Sequence, residues 1–163
     1  LPALHTLALQ IQHNLQYQHS WSALCLHTTS PLTGDPLPRP LLSGLPPQRL
    51  YVHPDEQIEL LKQADQKRKA TKNGDQGLEV QVEPEQEWVL PTRLSEKWTL
   101  RRLSEIFDAI PIVPPEHDAS PAGKEVNPNP WRTNKRVVLA SVDPDSTVVY
   151  YIFHDGVVKP RQN

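Results

Sequence analysis

The spacing of apolar positions changes along this chain, and each change marks an element. From Leu4 to about Thr28, the residues Leu4, Leu7, Ala8, Ile11, Leu15, Trp21, Leu24 and Cys25 recur at three- and four-residue steps. That spacing predicts one amphipathic helix with a Gln- and His-rich outer face. Between Ser30 and Pro47 the prolines Pro31, Pro36, Pro38, Pro40, Pro46 and Pro47 each remove an amide donor, which predicts a linker. After a short extended piece at Arg49-Leu50-Tyr51-Val52, Pro54 with Asp55 and Glu56 reads as a helix start. Ile58, Leu61 and Leu60 are expected to face inward, and the helix should end in the cations Lys67, Arg68, Lys69 and Lys72 before Asn73-Gly74.

Between Leu78 and Leu94 the period becomes two, in Leu78-Val80-Val82 and then Trp88-Val89-Leu90, predicting one or two strands. Thr99 is placed to cap a helix whose Leu100, Leu103, Ile106, Phe107 and Ile110 line one side, so this helix should cross the sheet. Residues from Pro111 to Pro130 form a second proline-rich insertion without period. Lys135 to Val142 then reads as a strand, Asp143-Pro144-Asp145-Ser146 as a turn, and Thr147 to Phe153 as a second strand, followed by a tight turn at Asp155-Gly156. Both strands are almost continuously apolar, which predicts a hairpin covered on both faces, one cover being the domain's own helix and the other a second protein.

Composition narrows the function classes. The 163 residues carry 17 Lys and Arg against 19 Asp and Glu, a net charge of -2, so no whole-chain field draws the protein onto phosphate backbones. Any RNA contact is expected to be local or supplied by a partner. The single cysteine, Cys25, forms no internal disulfide and no thiolate zinc site, and no apolar run is long enough to span a bilayer. These features predict a soluble intracellular protein, and the lack of methionine predicts a piece of a longer chain. His5, His13, His19 and His27 are too widely spaced to share a metal on a helix, so no metal or other cofactor is expected. Phosphate-binding glycine loops, nucleophile elbows and dinucleotide turns are missing from the sequence. His117 and His154 have no partner that spacing identifies, and general acid–base work needs a second positioned group.

The run from Lys135 to Tyr151 resembles the terminal hairpin of the tRNA-intron endonuclease family, in which an acidic turn precedes a strand with a Tyr-Tyr pair. The tail His154-Asp155-Gly156-Val157-Val158-Lys159-Pro160, with Tyr51-Val52-His53-Pro54 and Trp88-Val89-Leu90-Pro91, is similar to the smallest, non-catalytic subunit type of its eukaryotic, fungal branch. The likeness covers roughly residues 48 to 110 and 131 to 163. It implies an α/β fold of tRNA-intron endonuclease type, a small mixed β-sheet flanked by helices, with the C-terminal hairpin used for dimerisation. The expected organisation is an N-terminal helix over 1–29, a linker over 30–47 and an endonuclease-like domain over 48–163 with an insertion at about 111–130.

Active members of that family use a Tyr, a His and a Lys to cut intron–exon junctions. Lys135 falls near the family's lysine, but the stretch that should carry the tyrosine and histidine is replaced here by the insertion, so no catalytic residue is assigned. What the resemblance implies is a structural subunit that pairs with the catalytic subunit cutting the 3' splice site and joins a heterotetramer acting on precursor tRNA. Its interface would be Val148, Val149, Tyr150, Tyr151, Ile152 and Phe153, and its docking loop Asp143 and Asp145. Lys135 and Arg136 are candidate RNA contacts, and the cations from Lys67 to Lys72 are a further basic cluster. tRNA splicing points to the nucleus or, in some fungi, the mitochondrial outer surface. A homodimeric β-hairpin scaffold and an intrinsically active RNA endonuclease are the alternatives.

Overall fold

The structure is a computed structural model that describes residues 2–70, 83–115 and 129–156. Its elements are α1 (Pro2–Tyr17), β1 (Ser22–Thr29), β2 (Pro36–Leu45), α2 (Pro54–Ala70), β3 (Glu87–Arg93), α3 (Leu100–Asp108), β4 (Arg136–Val142) and β5 (Val148–His154). The strands form one sheet in the order β1-β2-β3-β4-β5. Only β3 and β4 run parallel, and a parallel pair requires a crossover connection, which α3 supplies. The chain is therefore α/β with a five-stranded mixed sheet and three helices among its described residues.

Side chains alternate across each strand, so the sheet carries a core on each face. On one face Leu7, Ile11 and Leu15 of α1 pack on Leu42, Val89, Val138, Ala140 and Val142. On the other, Ile106 and Phe107 of α3, with Ile110 just beyond it, pack on Leu37, Leu41, Trp88, Leu90 and Val137. Burying each such side chain stabilises the fold by roughly 1.5–3 kcal/mol. Thr99 caps α3 as expected, its hydroxyl accepting from Arg102 N–H at 3.2 Å. The far end of α3 is fastened twice: Lys135 Nζ donates to the Phe107 carbonyl at 2.9 Å, and Trp88 Nε1 to the Pro111 carbonyl at 3.3 Å. A cation at a helix C-terminus also meets the negative end of the helix dipole.

The N-terminal expectations need correction. The helix stops at Tyr17, and residues 22–29 are a strand. Ser20 takes a left-handed φ of 60°, and Trp21 N–H folds back to the Leu15 carbonyl at 2.9 Å, so the chain turns sharply while Trp21 still reaches the core. The proposed linker contains β2, which lies between β1 and β3 with Leu37, Arg39, Leu41, Leu42 and Ser43 buried. Its prolines survive because the ladder to β3 uses only Leu42, Ser43 and Gly44, leaving Pro36, Pro38 and Pro40 where no β3 carbonyl awaits a donor. Residues 1–29 and 30–47 are thus not appendages, since β1 and β2 belong to the same sheet as the later strands.

The α2 face is also different from the expected one: Ile58 and Leu61 are exposed, while Pro54 and Glu56 are buried. Leu78, Val80, Val82, Lys72 and His117 lie outside the described residues. Among those described, no helix is long and apolar enough to cross a membrane.

A candidate docking edge

The β5 strand pairs with β4 on one side and, among the described residues, has no strand on the other. Its register runs without a break from Val142↔Val148 to Arg136↔His154, so the free edge is regular. Alternation sends Val148 and Tyr150 to the α1 face, where they pack on the core. Tyr150 OH donates to Asn14 Oδ1 of α1, and burial pushes its phenol up to about 12. Val149, Tyr151 and Phe153 point to the α3 face, where the described residues cover them only in part. They stay 44, 53 and 39% exposed, and Ile152 is 39% exposed on the opposite side. The helix that covers one face of β5 is therefore α1 and not a helix of the expected 48–163 domain, while the described residues leave the other face of β5 open.

The turn leading into β5 holds itself together. Asp143 N–H donates to the Thr147 carbonyl and Ser146 N–H to the Asp143 carbonyl, both at 2.8 Å, with Ser146 left-handed at φ 71°. Asp145 accepts from Thr147 N–H at 3.0 Å, and this bond holds its carboxyl below the usual carboxylate range. Asp145 is exposed and Asp143 half-buried, so the two carboxylates do stand at the hairpin tip.

At the other end of the hairpin the candidate RNA contacts part company. Arg136 is 4% exposed, and its guanidinium holds Glu87 in a two-pronged pair at 2.8 and 2.6 Å and Glu85 at 3.0 Å. Burial opposes its charge, but these carboxylates more than compensate and raise its pKa. Arg136 is therefore a core ion-pair member and not a phosphate contact. Lys135 points to the other face of the sheet and is held by the end of α3. In the α2 cluster, Lys69 pairs with Asp65 at 3.2 Å, as a solvated helix end would.

Sequence reasoning missed the network around Arg136. Arg132 reaches Glu85 at 3.1 Å and Glu87 at 3.3 Å, and Arg49 reaches Glu56 at 2.6 Å and Glu85 at 3.2 Å. Three arginines thus offset three glutamates in a largely buried group. The run Glu83-Pro84-Glu85-Gln86-Glu87 ahead of the apolar β3 was the available signal, since acids at a buried strand's entrance need partners.

Beside this network, His154 meets Tyr51 edge to face, ring centroids 4.6 Å apart, and the Arg136 guanidinium lies 5.5 Å from the Tyr51 ring. Burial, then the Arg136 charge, lowers the His154 pKa. The lysine, histidine and tyrosine do not converge: Lys135 stands on the opposite face, and the cation nearest the two rings is already neutralised by carboxylates. Among the described residues no group of His, Cys, Asp and Glu could hold a metal ion. Cys25 is half-buried, its thiol 3.8 Å from the Leu26 carbonyl.

Fold and edge together define a class: a small α/β domain with a mixed sheet whose regular, apolar edge strand has one side open among the described residues. The chain belongs to the Sen15 protein family, whose pattern matches residues 10–163. It is 43% identical over 163 residues to a Neurospora crassa protein described as "Probable tRNA-splicing endonuclease subunit tsp-1", a match covering 98% of this chain and 67% of that protein.

Proposed function

We propose that this chain is a non-catalytic subunit of a tRNA-splicing endonuclease, joined to a catalytic sister subunit through the free edge of β5. Its family and its relative in Neurospora crassa support the subunit role. The observation that carries the docking mode is the unbroken β5 edge with Val149, Tyr151 and Phe153 exposed on one face. A row of unpaired backbone groups beside an apolar face invites another strand, and main-chain hydrogen bonds then supply affinity while side chains select the partner. Asp143 and Asp145, at the tip of the same hairpin, suit a basic pocket on that partner. The sister subunit is taken to be the one that cuts the 3' splice site, the assembly a heterotetramer and the nucleus its place of work.

Co-expression with the catalytic subunits tests this reading. The wild-type chain is expected to co-purify with one of them, and Val149→Glu/Tyr151→Glu to lose that association while keeping its own thermal stability. Undiminished co-purification of the double variant would refute the docking mode.

The contact between Tyr51 and His154 favours a second reading, a nuclease in its own right. That reading lacks an uncompensated cation beside the two rings. It requires the isolated chain to cleave precursor tRNA and His154→Ala to abolish the cleavage; an inactive wild-type chain disposes of it.

A further inference from the structure

The connection from β3 into α3 concentrates charge. Residues 93–102 hold four cations, Arg93, Lys97, Arg101 and Arg102, and one acid, Glu96, in a chain whose net charge is -2. Glu96 is already committed: Arg39, 6% exposed, grips it at 3.0 and 3.1 Å, and it also accepts from Thr92 OH and Arg93 N–H. Burial opposes its charge, yet these donors bring its pKa down to about 2. Arg39 therefore neutralises the one acid from below, Arg102 also reaches it at 4.0 Å, and Arg93, Lys97 and Arg101 are left in excess.

Their geometry fits a ligand on the surface. Arg93 and Lys97 are exposed, and among the described residues their side chains make no ion pair. Arg101 is 91% exposed at its side chain and has only a loose contact with Glu105 at 3.9 Å. Arg102 is held in place, its guanidinium 4.3 Å from the Trp98 ring and donating to the Lys97 carbonyl at 2.6 Å. The first turn of α3 contains no acid, so the positive end of its dipole adds to the same field. On α2, by contrast, Glu59 and Asp65 precede Lys62 and Lys67, and Asp65 pairs with Lys69 at 3.2 Å. Asp143 bounds the patch, lining a cleft of about 260 Å³ together with Arg93.

We infer that the β3–α3 connection, through Arg93, Lys97 and Arg101, is a docking surface for the phosphodiester backbone of RNA. This rests on the proposed place in a tRNA-splicing endonuclease, which makes precursor tRNA the polyanion at hand. Lys97 in particular favours phosphates over a buried protein contact, because protein interfaces are depleted of lysine at their centres, and backbone phosphates are commonly met by Lys and Arg. Leu94 and Leu100, 61 and 87% exposed, stand among these cations and offer apolar contact to ribose and base faces.

The test measures binding of fluorescein-labelled precursor tRNA to the full chain by anisotropy, across a salt series. Three phosphate contacts give a slope of log K against log salt of roughly -3. Arg93→Gln/Lys97→Gln/Arg101→Gln should flatten that slope by about one for each phosphate no longer neutralised. All three positions are exposed, so the fold is not at risk. Lys62→Gln/Lys67→Gln/Lys69→Gln removes the same charge from α2 and should leave the slope unchanged. The inference is overturned by equal slopes for wild type and the 93/97/101 variant, or by an equal flattening in the α2 variant. It is also overturned if the 93/97/101 variant binds RNA normally but no longer co-purifies with the catalytic subunits, which would make an acidic protein segment the occupant. A wild-type chain that fails to co-purify at all sinks the subunit reading and leaves the measured slopes to decide this one.

Discussion

The sheet has two edges, and they are built differently. β1 pairs with β2 through a register broken twice, between Ser22 and Cys25 and between His27 and Thr29, and Ala23 sits at a left-handed φ of 52°. Its exposed ends are Ser22, Ala23, Thr28 and Thr29. β5 has no break, and its exposed positions are Val149, Tyr151, Ile152 and Phe153. Bulges twist an edge away from a would-be partner strand, and polar residues remove the gain from covering it. One edge is thus closed to further pairing by its backbone, while the other is left open by both backbone and side chains.

The largest expected effect separates the edges directly. Val149→Glu/Tyr151→Glu should weaken association with the sister subunit at least about a hundredfold, the scale of removing an interface's central anchors. Thr28→Glu/Thr29→Glu on β1 should leave it unchanged, as measured by quantitative pull-down. Equal effects at both edges would erase the distinction.

Next in size is Glu87→Ala, which leaves Arg136 and Arg132 to share Glu85 at the root of β4 and should cost about 3–5 kcal/mol in urea unfolding. The β5 edge is expected to loosen with it, because β4 is the only strand that pairs with it among the described residues. On the β1 side, Gly44 lets β2 pass beneath Trp21 and Leu24, since a Cβ there would lie 2.6 Å from Leu24 Cδ2 and 3.1 Å from Trp21 Cε3. Leu24 is a movable side chain, so Gly44→Ala should cost about 1–2 kcal/mol rather than prevent folding. Ala23→Gly relieves the strained bulge and should stabilise by up to about 1 kcal/mol, a shift readable as a raised Tm. If it destabilises, the bulge is not under strain.

The smallest effect is one of pH. His154 has a lowered pKa in the folded chain, so the unfolded state binds its proton more readily. Its contribution to stability is complete above the unfolded value of about 6.5 and declines as pH falls from there towards the folded value. Unfolding midpoints for His154→Gln should therefore vary less with pH across that window than those of the wild type.

How far the sequence reveals the fold follows from the same contrast. β3, β4, β5 and α3 stood out because Trp88-Val89-Leu90 and the two hairpin strands are apolar almost without interruption, and α3 carries both a cap and a stripe. β1 was masked because Trp21, Leu24 and Cys25 happen to continue the helical spacing, and Ser20 makes the left-handed stop without the usual glycine. β2 was masked by Pro36, Pro38 and Pro40, although Leu37, Arg39 and Leu41 between them already show a period of two. The hairpin's apolar strands marked the candidate docking site. Arg136 could not be judged from sequence, since its burial depends on Glu85 and Glu87, some fifty residues away.

The arginine–glutamate group has one more implication. The chain returns from the segment after Ala70 at Glu83, whose carbonyl receives Arg49 Nε at 2.9 Å. It returns from the segment after Pro115 at Asn129, which bonds Glu85 and Glu56. Both points of return therefore lie on one shared junction of charged side chains, which ties the entrances of β3 and β4 together.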